Sequence, residues 1–188
     1  MHEMTRQNLH NAFAGESQAR TRYTFFAAVA RKAGYRQIEA VFLETADNER
    51  EHAELFFKHL QGGDAEITAA FPAGIIGTVD ANLAAAAEGE RLEWGQLYPD
   101  GARRAEAEGF PEVASTFRQV AKVERYHERR FRKLLENVRN GTVFKKPARA
   151  AWKCRNCGNV EEGIAQAPDV CPVCLHGREY FELWCENY

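Results

Sequence analysis

Two Glu-x-x-His motifs, Glu49-Arg50-Glu51-His52 and Glu124-Arg125-Tyr126-His127, constrain this chain more than any other feature in it. Residues three apart on an α-helix share nearly one face, so each motif can aim a carboxylate and an imidazole at a single point. Each motif follows a helical segment that carries its own acid. Glu16 precedes the first, and Glu90 and Glu93, again three apart, precede the second. Glu16 to Glu49 spans 33 residues and Glu90 to Glu124 spans 34, which has the look of an internal duplication. A single such motif on an exposed helix is usually a solvated face. Two in corresponding positions, with partner glutamates at matched offsets, point instead to one shared site. Phe42, Phe56, Leu92 and Phe117 predict a core-facing stripe on these helices. Carboxylates buried there without a cation would be very costly. A pair of hard, redox-active metal ions suits the set, since carboxylates can bridge two ions and each His adds a neutral nitrogen.

The surrounding sequence predicts four long helices. Thr5 to Asn140 is rich in Ala, Glu, Arg and Leu, which favour helix, together with Phe. The first segment runs from Thr5 to about Lys32 and stops at Ala33-Gly34. The second runs from Tyr35 to Gly62-Gly63. The third starts near Thr78 or Asp80 and ends around Glu108-Gly109, and the fourth runs from Pro111 to a C-cap at Asn140-Gly141. Pro99 should kink or interrupt the third, because it removes a backbone donor and crowds the preceding turn. The connection from Gly62 to Gly77 is long enough to cross from one helix pair to the other. One Glu from each of two helices and Glu-x-x-His from each of the others is the layout of ferritin-like di-iron bundles.

Composition changes after Gly141. Lys145-Lys146-Pro147 reads as a linker, and four of the five cysteines follow as Cys154-Arg155-Asn156-Cys157 and Cys171-Pro172-Val173-Cys174. A stretch this short needs a metal to hold it together. Four thiolates from two tight turns make a tetrahedral site for zinc or iron. Alone, the pattern favours a structural zinc ribbon. The expected division is 1–140 for the bundle, 141–150 for a linker and 151–188 for a small β domain. His2, His10 and His59 read as non-ligands, His176 as redundant beside four cysteines, and Cys185 as a free thiol.

The 188-residue chain has 45% hydrophobic and 28% charged residues, which marks it as globular. A formal charge of −2 recruits neither nucleic acid nor an anionic membrane. There is no apolar run of membrane-spanning length and no apolar stretch like that of a signal peptide near Met1, so a cytoplasmic location is expected.

Ala14-Gly15-Glu16-Ser17-Gln18-Ala19-Arg20, Glu44-Thr45-Ala46-Asp47-Asn48-Glu49-Arg50-Glu51-His52 and Ala87-Glu88-Gly89-Glu90-Arg91-Leu92-Glu93 resemble the rubrerythrins, as does the order of the two domains. The resemblance spans nearly the whole chain. Glu93 is its discriminating residue, because a simple ferritin-like site needs only one carboxylate from the third helix. The resemblance implies Glu16, Glu49, His52, Glu90, Glu93, Glu124 and His127 as ligands of a di-iron centre. Glu49 and Glu124 would bridge, and His127 would be a permanent terminal ligand. Glu93 and His52 would alternate on the other iron, the carboxylate when oxidised and the imidazole when reduced. Tyr23 and Tyr98 match family tyrosines that hydrogen-bond ligand carboxylates. Cys157-Gly158, Cys171-Pro172 and Tyr180-Phe181 resemble rubredoxin knuckles and their aromatic cover, which favours an Fe(Cys)4 centre with zinc as a substitute. Leu175 departs from that pattern, standing where a small residue or Gly is usual.

The activity implied is reduction of hydrogen peroxide to water in oxidative-stress protection. Electrons would pass through the Fe(Cys)4 centre from an external donor, a rubredoxin or a separate NAD(P)H-linked reductase, since no dinucleotide-binding motif is present here. A homodimer or higher homo-oligomer is expected. The alternatives are a ferroxidase that handles iron and a non-catalytic bundle with a zinc ribbon.

Overall fold

The computed structural model describes residues 1–186. Five α-helices precede a three-stranded antiparallel sheet: α1 (Glu3–Lys32), α2 (Arg36–Leu60), α3 (Val79–Leu92), α4 (Tyr98–Ala107) and α5 (Pro111–Arg139), then β1 (Lys145–Cys154), β2 (Val160–Gln166) and β3 (Phe181–Leu183). α3 and α4 form one long rod joined by a π-helical turn, Glu93–Leu97, so the helical part is a four-helix bundle. No helix among the described residues is long and apolar enough to cross a membrane.

α1 packs along α2, and the α3–α4 rod packs along α5. The tight reversals within each pair follow the same plan. At Gly34 (φ +78°) the next amide, Tyr35 N–H, reaches back to the Ala30 carbonyl at 2.9 Å, and Phe110 N–H does the same to Ala105 at 2.8 Å. Such closure satisfies carbonyls that the ending helix leaves free, and it needs a left-handed residue that glycine supplies without strain. Residues 61–78, without regular structure, carry the chain between the pairs.

The break in the third helix precedes Pro99 instead of lying at it. Pro99 is the second residue of α4, where its missing N–H costs little, and the strain of its ring against the preceding turn is taken up by the wide turn just before it. Trp94, inside that turn, donates its indole N–H to Glu128 of α5 at 2.6 Å, which ties the turn to the neighbouring helix.

Two apolar clusters fill the bundle, one around Tyr23, Phe26, Phe42 and Phe131 and the other around Leu9, Phe56, Tyr98 and Phe117. The Phe42–Phe131 and Phe56–Phe117 rings lie 5.1 and 4.9 Å apart, centroid to centroid. The sheet has order β2-β1-β3 and a core of its own around Trp152 and Phe181, both fully buried.

β1 begins at Lys145, so Lys145-Lys146-Pro147 belongs to a strand and not to a linker. Pro147, which has no N–H for a ladder, falls where the β1–β2 pairing slips between Lys145 and Ala150, and β3 pairs only with Trp152 to Cys154. The small domain docks on the bundle through Tyr35, stacked on Phe144 at 5.8 Å, and through Arg36. The Arg36 guanidinium lies 4.7 Å from the Tyr180 ring centre and donates to its hydroxyl at 2.9 Å.

Candidate metal centres

Between the two apolar clusters of the bundle lie six ionisable side chains from four rods: Glu16 (α1), Glu49 and His52 (α2), Glu90 (α3), and Glu124 and His127 (α5). All six are buried. They fall into two overlapping sets whose ligand atoms lie within 4.8 Å of one another: Glu16, Glu49, His52 and Glu124, and Glu49, Glu90, Glu124 and His127. Glu49 and Glu124 belong to both. The i, i+3 spacing does what the sequence requires of it, bringing His52 Nδ1 to 2.9 Å from Glu49 and His127 Nδ1 to 2.8 Å from Glu124.

The chemistry of this arrangement is that of an ion-binding cage. Glu16 Oε2, Glu49 Oε1, Glu90 Oε2, both oxygens of Glu124 and His127 Nδ1 are buried without a hydrogen-bond partner. His127 Nδ1 and Glu124 sit 2.8 Å apart without the alignment of a hydrogen bond. Orphaned buried acceptors in this number are not tolerated in an apolar core unless a cation takes them up.

Burial, reinforced by neighbouring carboxylates, pushes Glu16 and Glu90 well above the usual carboxylate range, with Tyr98 and His127 respectively opposing. Burial acts in the same direction on Glu124, but the close approach of His127 and His52 outweighs it and holds this carboxyl at about 2. Burial opposes charge on His52 too, yet Glu124 and Glu49 carry it up to about 9. Four acids this close cannot all ionise without positive charge between them.

Two tyrosines face carboxylates of the cage. Tyr23 donates its hydroxyl to Glu90 Oε1, and Tyr98 donates to Glu16 Oε1. Burial first, and then the facing carboxylates, push both phenols well above their ordinary range, so they remain donors. Each bond engages one carboxylate oxygen and leaves the other, Oε2, turned to the cluster.

Glu93 lies outside both sets. It opens the π turn, is only half-buried, and lines a cavity beside Arg22 and Tyr98 while His52 completes the set with Glu16. Burial and the nearby Glu90, Glu124 and Glu49 push its carboxyl up, with Arg22 opposing. Of the remaining histidines, His59 bonds Thr116 at 2.8 Å and His10 is buried away from the ligand sets. Trp94 and Glu128 were not singled out by the sequence. Glu128 adjoins His127 and also accepts from Arg132 at 2.5 Å, so a surface ion pair anchors this corner of the site.

Cys154, Cys157, Cys171 and Cys174 form the second centre. Sγ separations of 3.8 Å (Cys154–Cys174) and 3.6 Å (Cys157–Cys171) match the edge of a tetrahedron with metal–sulfur bonds of about 2.3 Å, roughly 3.8 Å. The two knuckles are built alike. Gly158 N–H returns to the Cys154 carbonyl at 2.8 Å and Leu175 N–H to the Cys171 carbonyl at 3.0 Å. Gly158 (φ +81°) and Leu175 (φ +61°) therefore hold the same left-handed position, and Leu175 pays the steric cost. The His176 backbone amide, above all, holds the Cys174 thiol down to about 6. The His176 ring lies edge-on to Tyr180 and its Nδ1 is 3.1 Å from the Cys174 carbonyl, outside the thiol set. Cys185 is exposed and also outside it.

A ferritin-like bundle with a carboxylate–histidine di-iron site, joined to a four-cysteine rubredoxin-like site, defines an iron protein with two kinds of metal centre. Two family models match: "Rubrerythrin" over residues 7–135 and "Rubrerythrin, rubredoxin-like domain" over 152–182. The chain belongs to the rubrerythrin family. It is 57% identical to a rubrerythrin of Porphyromonas gingivalis, covering 98% of this chain and 92% of that one. It is 51% identical to a rubrerythrin of Nitratidesulfovibrio vulgaris, covering 98% and 96%. The structure resembles fully reduced, all-ferrous nigerythrin with a TM-score of 0.65 at 28% identity, covering 98% of this chain and 88% of that one.

Proposed function

We propose that this chain is a peroxidase that reduces hydrogen peroxide to water, with electrons delivered through the four-cysteine centre. Family membership supports an iron-dependent oxidoreductase of oxidative-stress defence. The observation that carries the finer reading is the presence, on one chain, of a dinuclear carboxylate cage and a tetrahedral four-thiol site. A storage protein needs the first but has no use for a one-electron relay. The reaction consumes two electrons and two protons per peroxide, breaks the O–O bond and yields two waters.

Glu49 and Glu124, common to both sets, would be shared between the two ions. Glu16 and His52 complete one position, and Glu90 and His127 the other. When bound, an iron pair supplies the two electrons for O–O cleavage. Tyr23 and Tyr98 keep their protons and donate them in hydrogen bonds to Oε1 of Glu90 and Glu16, which leaves the Oε2 of each for the cage. Glu93 is the carboxylate in reserve. Its anionic oxygen would suit the more highly charged, oxidised pair, and the His52 nitrogen the reduced one. The rubredoxin-like domain, held to α2 by Arg36, receives electrons from an external carrier or reductase.

The test is anaerobic. The iron-loaded chain is fully reduced and mixed with stoichiometric peroxide or with dioxygen, and the visible thiolate-to-iron band is followed by stopped flow. Rapid return of the band with peroxide, much slower with dioxygen, supports the peroxidase. A band indifferent to peroxide, with fast dioxygen-driven oxidation of added Fe(II), would mean a ferroxidase instead.

A further inference from the structure

Residues 69–72 of the crossover segment roof a cavity of about 210 Å³ that reaches Glu93 and Tyr98, the tyrosine bonded to Glu16 of the carboxylate cage. Its inner wall holds Glu93 and Tyr98, and its outer wall holds Phe71 and Pro72. Two details fix the roof to α1. Gln18 Nε2 donates to the Pro72 carbonyl at 2.6 Å. The Phe71 ring settles on α1 at Gly15, coming within 3.6 Å of the place where a Cβ would stand. Phe71 remains 37% exposed, so the ring faces solvent as well as the cavity. Long connections without secondary structure are uncommon inside compact domains and usually serve a site. This one covers the side of the cage on which Glu93 stands free of the ligand sets.

We propose that this cavity is the entry route for the oxidant and that Phe71 is its specificity-determining residue. It admits hydrogen peroxide and retards hydroperoxides that carry bulky alkyl or aryl groups. The substrate named here rests on the peroxidase reading; the route itself does not.

The route is tested with azide on the oxidised, iron-loaded full chain, its association followed by stopped-flow absorbance. Ala70→Trp places a bulky side chain at the roof of the cavity without altering a helical residue, and Ala69→Trp is a second blocking variant should the first misfold. Blocking is expected to slow azide association about tenfold, the usual scale for one misfitting group in a pocket, with iron content and final spectrum unchanged. Phe71→Ala is expected to raise kcat/KM for cumene hydroperoxide about tenfold relative to that for hydrogen peroxide. Equal azide association rates in the wild type and a folded, iron-replete blocking variant overturn the route. Unchanged hydroperoxide selectivity in Phe71→Ala overturns the role of Phe71. If azide slows in the blocked variants while no form consumes peroxide, the route stands and the peroxidase reading falls.

Discussion

Tyr23, on α1, donates a hydrogen bond from its hydroxyl to Glu90 of α3, and Tyr98 of α4 donates one back to Glu16 of α1. The two rods of the bundle that carry no histidine motif are thereby tied to each other through the site they share. Neither glutamate is free to rotate about its own carboxylate axis.

Removing one hydroxyl should loosen that hold without disturbing the core. Tyr98→Phe keeps the ring against Phe56 and Phe117 but leaves Glu16 Oε1 without a donor. Metal retention is expected to fall about tenfold, as is typical when a group behind a ligand is removed. Iron content after dialysis against graded chelator measures it. Unchanged retention would make these ordinary core tyrosines.

Membership in one ligand set or both should be visible as stoichiometry. Glu124→Ala removes a carboxylate from both sets, so the variant is expected to lose both ions of the cage. Glu16→Ala touches only one set and should keep one ion. Elemental analysis of purified variants decides, and an ion retained in Glu124→Ala would contradict the bridging assignment.

The four-cysteine domain should depend on its metal while the bundle does not. Its core is a handful of side chains around Trp152 and Phe181, too few to stand alone. Cys171→Ser is expected to leave the helical circular dichroism nearly intact and to make residues after Lys145 sensitive to protease. A bundle that melts along with the domain would show that docking through Tyr35 and Arg36 is essential to it.

Leu175 offers a gain in stability. Its side chain is 77% exposed, and its backbone takes the left-handed position that Gly158 fills in the other knuckle. Relief of the Cβ clash is worth roughly 1 kcal/mol, so Leu175→Gly should raise the temperature at which the thiolate band is lost. A lower temperature would mean that the leucine side chain has a partner in solution.

Glu108 provides a pH signature remote from either metal. It accepts from the Thr5 hydroxyl at 2.5 Å and from the Thr5 amide at 3.1 Å, closing the first turn of α1 from 103 residues away. The Thr5 hydroxyl, with the amide adding to it against some desolvation, holds this carboxyl below its usual range. A group depressed in the folded state stabilises above its unfolded pKa and loses that contribution as pH falls through the folded one. Glu108→Gln should therefore lower Tm at neutral pH, and the gap should close as pH falls through the depressed folded-state pKa of Glu108, below which both carry a neutral side chain. A Tm gap that persists in acid would assign the effect to packing.

What could be read in advance depended on distance along the chain. The Glu-x-x-His pairs and the glycine reversals at Gly34 and Gly109 are local patterns, and the helices they define are where those patterns place them. Pro99 announced a break but not its kind, because a proline shows only that one N–H is missing. Pro147 argued against a strand, since the pairing slip that accommodates it depends on β2, which comes later in the chain. The Glu108 cap and the Trp94–Glu128 bond join residues that no spacing rule connects.

The π turn has a consequence for the symmetry of the site. Glu16 to Tyr23 is seven residues, nearly two turns of α-helix, whereas Glu90 to Tyr98 is eight, which in an unbroken helix would carry the tyrosine about 80° off the inward face. The wide turn absorbs the additional residue, and the same residue makes the second Glu-to-Glu interval 34 and not 33. Three positions beyond Glu16 stands a buried Ala19; three beyond Glu90 stands Glu93, at the start of the turn. A nearly twofold frame thus holds one acid that has no mirror image. Under the ligand exchange proposed for Glu93 and His52, a single insertion would give one half of the cage a fixed set of donors and the other an adjustable one.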